Sequence, residues 1–144
     1  LDAGHTVKVI DRTLKHINHK FSQHVEYIQS DFSNSLVLLE ALTGIDAVIH
    51  LVSSTVPGTS NLDPVADIQS NLVNSVNLFK AMQQAGVKRI IYFSSGGTVY
   101  GNPTQLPIAE NHPTHPISSY GIIKLAIENY LFMHQELYLS FIHI

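Results

Sequence analysis

The 144-residue chain contains no cysteine. Disulfides and thiolate metal sites are therefore excluded, and a reducing compartment is compatible with the composition. Charge is sparse: 13% of residues are Asp, Glu, Lys or Arg, and the formal net charge is −3. Without a basic run, nothing points to nucleic acid or to an anionic membrane surface. No apolar run approaches the roughly 18 residues of a membrane span, and no signal-peptide pattern is read. Repeats, linkers and low-complexity segments are absent. What remains is a sequence of about one domain's length, 44% hydrophobic, which can bury a core and is not of disordered type. It begins at Leu1, in what reads as the last turn of a helix, and stops at Ile144 inside an apolar run, so a fragment of a longer protein is expected.

Apolar strand-like runs alternate with helical patterns along the chain. Thr6 to Ile10 alternates and β-branches like a strand, with Asp11 at its carboxyl end. Thr13 to His24 is polar and reads as a surface loop or ragged helix. Val25 to Ile28 is a short strand followed by Asp31, and a helix is expected from Ser33 to Leu42, closing at Gly44. Asp46 to Val52 is an unbroken apolar strand, a pattern suited to a parallel sheet covered on both faces. Leu62 to Ala85 is the longest helical segment, with Asp63 as N-cap and Pro64 as first helical residue. Val65, Ile68, Leu72, Val76, Phe79 and Met82 recur in it at helical spacing. Asn71 and Asn74 stand mid-helix, either on a solvated face or as amides turned towards a cleft. Val87 to Phe93 is the next strand, and Leu139 to Ile144 looks like the start of another. The alternation predicts an α/β fold with a doubly wound parallel sheet. Ligands bind such sheets at the strands' carboxyl ends. Asp11, Asp31, Ser53, Ser94 and Ser95 all fall there. Asp11 is open to two readings, a loop-capping turn aspartate or an acceptor for the ribose hydroxyls of a dinucleotide.

The stretch from Phe93 to Lys124 carries the chemistry. It opens as FSSGGTVYG and closes as SYGIIK, with four prolines between. Ser118 or Ser119 caps the helix that begins at Tyr120 and runs to about Glu136. Tyr120 and Lys124 are four apart and share one face of that helix. They are either a surface pair or a proton-transferring phenol beside a fixed positive charge, which lowers a tyrosine pKa from its usual value of about 10. His112 and His115 lack partners at ligand spacing, so no metal site is expected.

The combination of SSGGTVYG with SYGIIK, together with the strand ending at Asp11, Asp31-Phe32, VIHLVSS and the Asn71 helix, resembles the NAD-dependent epimerase/dehydratase family of extended short-chain dehydrogenase/reductases. The likeness covers essentially the whole chain and implies residues 1–144 to be part of a Rossmann-like NAD-binding domain. By position, it implies that Asp11 binds the adenosine ribose and that Asp31 and Phe32 contact the adenine. Leu51, Val52 and Ser53 would pass beside the dinucleotide, with Ser94 also at the cofactor, and Asn71 would support the cleft. Tyr120 would transfer the proton, and Lys124 would hold the nicotinamide ribose. The resemblance further implies a nucleotide-sugar substrate, a UDP-sugar above all, a cytoplasmic location, and a homodimer packed through the helices around Asn71 and Ile127. Asp11 implies NAD rather than NADP.

Two departures stand out. The family's glycine-rich pyrophosphate turn is missing and is expected just before Leu1, together with the strand that would sit between the Asp11 strand and Asp46 to Val52 in the usual 3-2-1-4-5-6 order. The family's Ser or Thr three residues before Val99 is Gly96 here, so a catalytic hydroxyl has to come from Ser95, Thr98 or water. Gly97 and Thr98 stand where the family's dehydratases carry Asp-Glu, which favours epimerisation over dehydration.

Overall fold

The computed structural model describes residues 3–15, 24–138 and 141–144. Most of the expected polar segment Thr13 to His24, and Leu139 and Ser140, lie outside the described residues. Among the described residues five strands, each parallel to its ladder partners, alternate with helices from β2 onwards, which is the α/β architecture the sequence predicts: β1 (Val7–Asp11), β2 (Val25–Gln29), α1 (Ser35–Ala41), β3 (Ala47–His50), α2 (Pro64–Asp67), a π-helical segment (Ile68–Val73), α3 (Asn74–Ala85), β4 (Arg89–Tyr92), α4 (Ser119–Tyr138) and β5 (Phe141–His143).

The strands form two sheets. β1 pairs with β2, with Val9 opposite Tyr27; β3, β4 and β5 pair in that order, with Ile49 opposite Ile91 and Ile90 opposite Ile142. No ladder joins β1 to β3 among the described residues. Burial along β4 alternates. Ile90 and Tyr92 are buried, whereas Ile49 and Ile91 remain 60% and 37% exposed. The unbroken apolar run of β3 suggests cover on both faces; among the described residues one face is covered and the other open. α1 packs beside α3, and α3 beside α4. The core they close contains Leu38, Leu78, Phe79, Met82, Ile90, Tyr92, Ile123, Ile127 and Leu131. Each large apolar side chain buried there contributes about 1.5–3 kcal/mol.

Helix starts follow their caps. Asn34 accepts the Val37 N–H, so α1 begins at Ser35 rather than Ser33. Asp63 accepts the Ala66 N–H ahead of Pro64, as expected. Ser118, not Ser119, caps α4: its Oγ accepts the Gly121 N–H and its carbonyl the Ile122 N–H. Gly86 ends α3 at φ +74°, a left-handed conformation that glycine adopts without steric cost.

The long helical region departs from its sequence pattern. Val65 and Ile68, expected in the buried stripe, are 65% and 43% exposed. Buried in their place are Asp67, Asn71 and Ser75, spaced by four. A step of four overshoots an α-helical turn of 3.6 residues. The wider turn of the π segment takes up the excess and keeps the three polar side chains on one face. Beyond it, Leu78, Phe79 and Met82 restore an ordinary apolar face. No helix among the described residues is long and apolar enough to cross a membrane.

Candidate active site

A cleft at the carboxyl ends of β3 and β4 is lined by Val52, Ser53, Asn71, Tyr92, Tyr120 and Lys124. The short strand β4 ends at Tyr92, and α4 is capped at Ser118, so Tyr120 and Lys124 meet the strand's end. Lys124 is only 6% exposed. Its Nζ donates to the Phe93 carbonyl at 2.7 Å and lies 4.9 Å from the Tyr92 ring centroid and 5.5 Å from that of Tyr120. Burial pushes the lysine pKa below its usual range, with Glu128 opposing. Glu128, one turn further on, accepts a hydrogen bond from Ser94 Oγ. The tyrosine, the ammonium and the carboxylate thus follow one another at four-residue spacing along α4. Tyr92 contributes a second phenol; its hydroxyl is buried without a partner among the described residues. Burial, then the charges of Glu128 and Tyr120, raise its pKa, so it stays protonated.

The loop after β4 folds back tightly, the Ser95 carbonyl accepting the N–H groups of Thr98 and Val99. Of the two hydroxyls considered as replacements at Gly96, that of Thr98 is sealed from solvent without a partner among the described residues, while Ser95 is half-buried. A Cβ placed on Gly96 would meet none of the described residues within 4 Å.

Asp11 and Asp31 stand exposed at the ends of β1 and β2. Asp11 Oδ1 accepts the Thr13 N–H at 2.9 Å, and Asp31 Oδ1 the Ser33 N–H at 2.8 Å. Hydrogen bonds from Ser33, and then the charge of Arg12, hold the Asp31 carboxyl below the usual range. Each carboxylate therefore serves a turn and keeps acceptor capacity open to solvent. Phe32 is half-buried, with its ring 5.3 Å from that of His50. Leu51 and Val52, just past β3, are 62% and 40% exposed, and Ser53 Oγ donates to the Thr55 carbonyl.

Asn71 is turned into the cleft wall rather than towards solvent. Its Oδ1 accepts the Ser54 N–H at 2.8 Å, and its Nδ2 reaches Ser54 Oγ at 2.8 Å and Asp67 Oδ1 at 2.7 Å. Asn74 stays half-buried and donates to the Ser70 carbonyl. Behind Asn71, Ser75 Oγ donates to its carbonyl at 2.6 Å and meets His50 Nε2 at 2.9 Å. Ser75 gives its only proton to that carbonyl, so His50 is the donor through Nε2–H. The polar members Asp67, Ser75, Ser60 and Asn61 escaped the sequence reading. The repeat Asp67, Asn71, Ser75 at intervals of four is the signal that points to two of them, Asp67 and Ser75.

The model of the NAD dependent epimerase/dehydratase family matches residues 1–144. The chain is 35% identical over 140 residues to the UDP-glucose 4-epimerase of Halalkalibacterium halodurans, covering 96% of this chain and 41% of that protein. It is 36% identical over 118 residues to the UDP-glucose 4-epimerase of Mycolicibacterium smegmatis, covering 81% of this chain and 38% of that protein. Among solved structures it superposes on UDP-glucose 4-epimerase with UDP-glucose from Thermotoga maritima, with a TM-score of 0.87, 27% identity, and coverage of 96% of this chain and 46% of that one. The Brucella ovis UDP-glucose 4-epimerase in complex with NAD gives a TM-score of 0.88 at 26% identity, covering 98% and 43%. The chain thus spans about two-fifths of the length of these two curated relatives. Matched along its whole length and sharing a parallel α/β frame with these enzymes, the chain belongs to the NAD dependent epimerase/dehydratase family.

Proposed function

We propose that the full-length protein is an NAD-dependent 4-epimerase of a nucleotide sugar, with UDP-sugars as its substrate class. The observation that carries this reading is the placement of Tyr120 and Lys124 on one face of α4, against the carboxyl ends of the strands. The names of the relatives and of the superposed structures support it.

The residues present fit a nicotinamide dinucleotide. Two solvent-facing carboxylates stand at or just past the carboxyl ends of adjacent parallel strands, and the cleft at β3 and β4 holds a phenol beside an ammonium. Asp11 would accept from the adenosine ribose, and Asp31 and Phe32 would border the adenine. Leu51, Val52, Ser53 and Ser94 would line the path, with Asn71 behind the loop. NAD supplies a reversible hydride acceptor when bound. Tyr120 would take the proton of the sugar 4-hydroxyl and later return it. Lys124, held by the Phe93 carbonyl, would present its remaining protons to the nicotinamide ribose. Ser95 is the better placed replacement hydroxyl, because that of Thr98 is sealed. Asp11 disfavours a 2′-phosphate through like-charge repulsion, so NAD would bind more tightly than NADP.

Residues 1–144 are read as part of the dinucleotide-binding domain, with a further strand and a glycine-rich turn filling the break between β1 and β3. Homodimerisation is supported by the apolar outer face of the two helical regions, including Val65, Val73, Ile122 and Phe132. A cytoplasmic location accords with the cysteine-free composition.

The test is an assay of the full-length protein with UDP-galactose and NAD⁺. The reading expects UDP-glucose to form without net consumption of cofactor, and Tyr120→Phe to abolish turnover while leaving NAD⁺ binding nearly intact. Stoichiometric consumption of reduced cofactor would mark a reductase. Dinucleotide binding without turnover of any nucleotide sugar would mark an inactive binding protein, the reading that Gly96 favours.

A further inference from the structure

Asp67 is 1% exposed, yet no cation lies within salt-bridge distance of it among the described residues. An uncompensated buried carboxylate is costly unless its lone pairs are satisfied. Here both oxygens are engaged. Oδ1 accepts Thr55 Oγ1 at 2.6 Å and Asn71 Nδ2 at 2.7 Å, and Oδ2 accepts Ser119 Oγ at 2.6 Å. The three donors come from three walls of one cleft: the loop after β3, the π segment, and the first turn of α4. Hydrogen bonds to a charged acceptor are about twice as strong as neutral ones and hold geometry closely.

The first turn of α4 is fixed from the same side by two more contacts. The opening N–H groups of a helix have no partner within it. The Ser119 N–H donates to Asn61 Oδ1 at 2.8 Å, and the Tyr120 N–H to the buried Ser60 Oγ at 3.0 Å. Ser118 supplies the ordinary cap, so Ser119 is left free for the carboxylate.

We propose that Asp67 is a positioning residue: acting through Ser119, its buried carboxylate fixes the first turn of α4 and with it the Tyr120 phenol at the cleft. The proposal rests on the proton-transferring role assigned to Tyr120. Asp67 faces a hydroxyl and not the reacting atoms, so its effect is geometric. A displacement of about 1 Å at a reacting group lowers rates by about 100-fold, which sets the scale of what this bond protects.

Three variants of the full-length protein test it by steady-state 4-epimerisation and by amide hydrogen exchange of the apo protein. Ser119→Ala removes only the link from α4 to the carboxylate. It is expected to lower kcat by about 10- to 100-fold, with KM for the UDP-sugar within about threefold, and to speed exchange of the amides of residues 119–121 but not of the later turns. Asp67→Asn keeps the link, since the new amide nitrogen can donate to Ser119 Oγ, and kcat is expected within about fivefold of wild type. Tyr120→Phe is the control. If it abolishes turnover while Ser119→Ala leaves kcat within twofold, the positioning role is overturned. So it is if Asp67→Asn loses as much as Ser119→Ala while the protection of residues 119–121 is unchanged, because charge and not position would then set the rate. If Tyr120→Phe keeps turnover, the epimerase reading of Tyr120 fails instead. Exchange then decides the positioning of α4, and unchanged protection of residues 119–121 in Ser119→Ala overturns it.

Discussion

Lys124 and Phe93 are joined end to side: the ammonium of α4 donates to the carbonyl that follows β4, at 2.7 Å. The bond fixes the charge beside the Tyr120 ring and uses one of three protons, leaving two for a ligand.

Lys124→Met is accordingly expected to separate stability from function. Burial already opposes the charge, and methionine fills similar space, so stability should change by no more than about 1 kcal/mol. Turnover should fall by about 100-fold or more, and NAD⁺ affinity by about tenfold. Urea unfolding, steady-state kinetics and calorimetry of the full-length protein check the three expectations together.

Gly121 is where α4 touches the loop after β4. A Cβ there would lie 2.6 Å from the Thr98 carbonyl oxygen and 3.0 Å from Pro116 Cβ. Alanine favours a helix over glycine by about 1 kcal/mol, but a clash with backbone at this distance costs about 1–3 kcal/mol. Gly121→Ala should therefore destabilise, and it should slow turnover by shifting Tyr120. A thermal scan showing a raised Tm would contradict this.

Gly96 is the opposite case, with no described residue within 4 Å of where a Cβ would stand and no positive φ. Gly96→Ser should leave Tm unchanged within a few degrees. By adding a hydroxyl beside the proposed sugar site, it should raise kcat by about tenfold, a modest share of what a well-placed donor contributes. Unaltered or reduced kcat would show that Ser95 or water already fills the role.

His50 predicts an acid limit on stability. Burial, then the charge of Lys124, depress its pKa from 6.5 to about 4. The unfolded chain therefore binds a proton at a pH where the folded one does not. Stability from this group is complete above pH 6.5 and is lost as pH falls towards 4, by about 3 kcal/mol in all. Urea titrations at pH 7, 5.5 and 4 should show this loss, and His50→Phe should flatten that part of the curve.

Residues 1–144 expressed alone should bind NAD⁺ weakly, with a Kd of about 1 mM or above. β1 and β3 share no ladder among the described residues, and unpaired strand edges favour aggregation. A soluble monomer with cooperative unfolding by circular dichroism and micromolar NAD⁺ affinity by calorimetry would refute this.

The parallel α/β order and the Tyr120–Lys124 pair were legible because they depend on local spacing: apolar runs bounded by glycine and proline, and two residues four apart after a cap. The inner wall of the cleft was not. Val65 and Ile68 match a buried helical stripe in sequence, yet polar residues occupy the inside, because the π segment changes the periodicity and the loop after β3 offers hydrogen-bond partners. Nor does the sequence reveal that Thr98 is sealed while Ser95 is not, since that depends on how α4 lies over the loop. Asp67 went unread because a buried carboxylate is recognisable only through its donors.

The π segment also makes residue count, rather than residue identity, decisive in the long helix. One residue corresponds to about 100° of rotation in an α-helix. Relaxing Ile68–Val73 to α-helix with every residue kept would swing Asp67 about a quarter-turn relative to Leu78 and Phe79, whereas deleting one residue at the same time would cancel the swing. In the first case the core half would stay seated, and the cleft half would turn its carboxylate away from Ser119. Loss of the π turn at constant length is therefore a rotation of one wall of the cleft, with no change in either wall's composition.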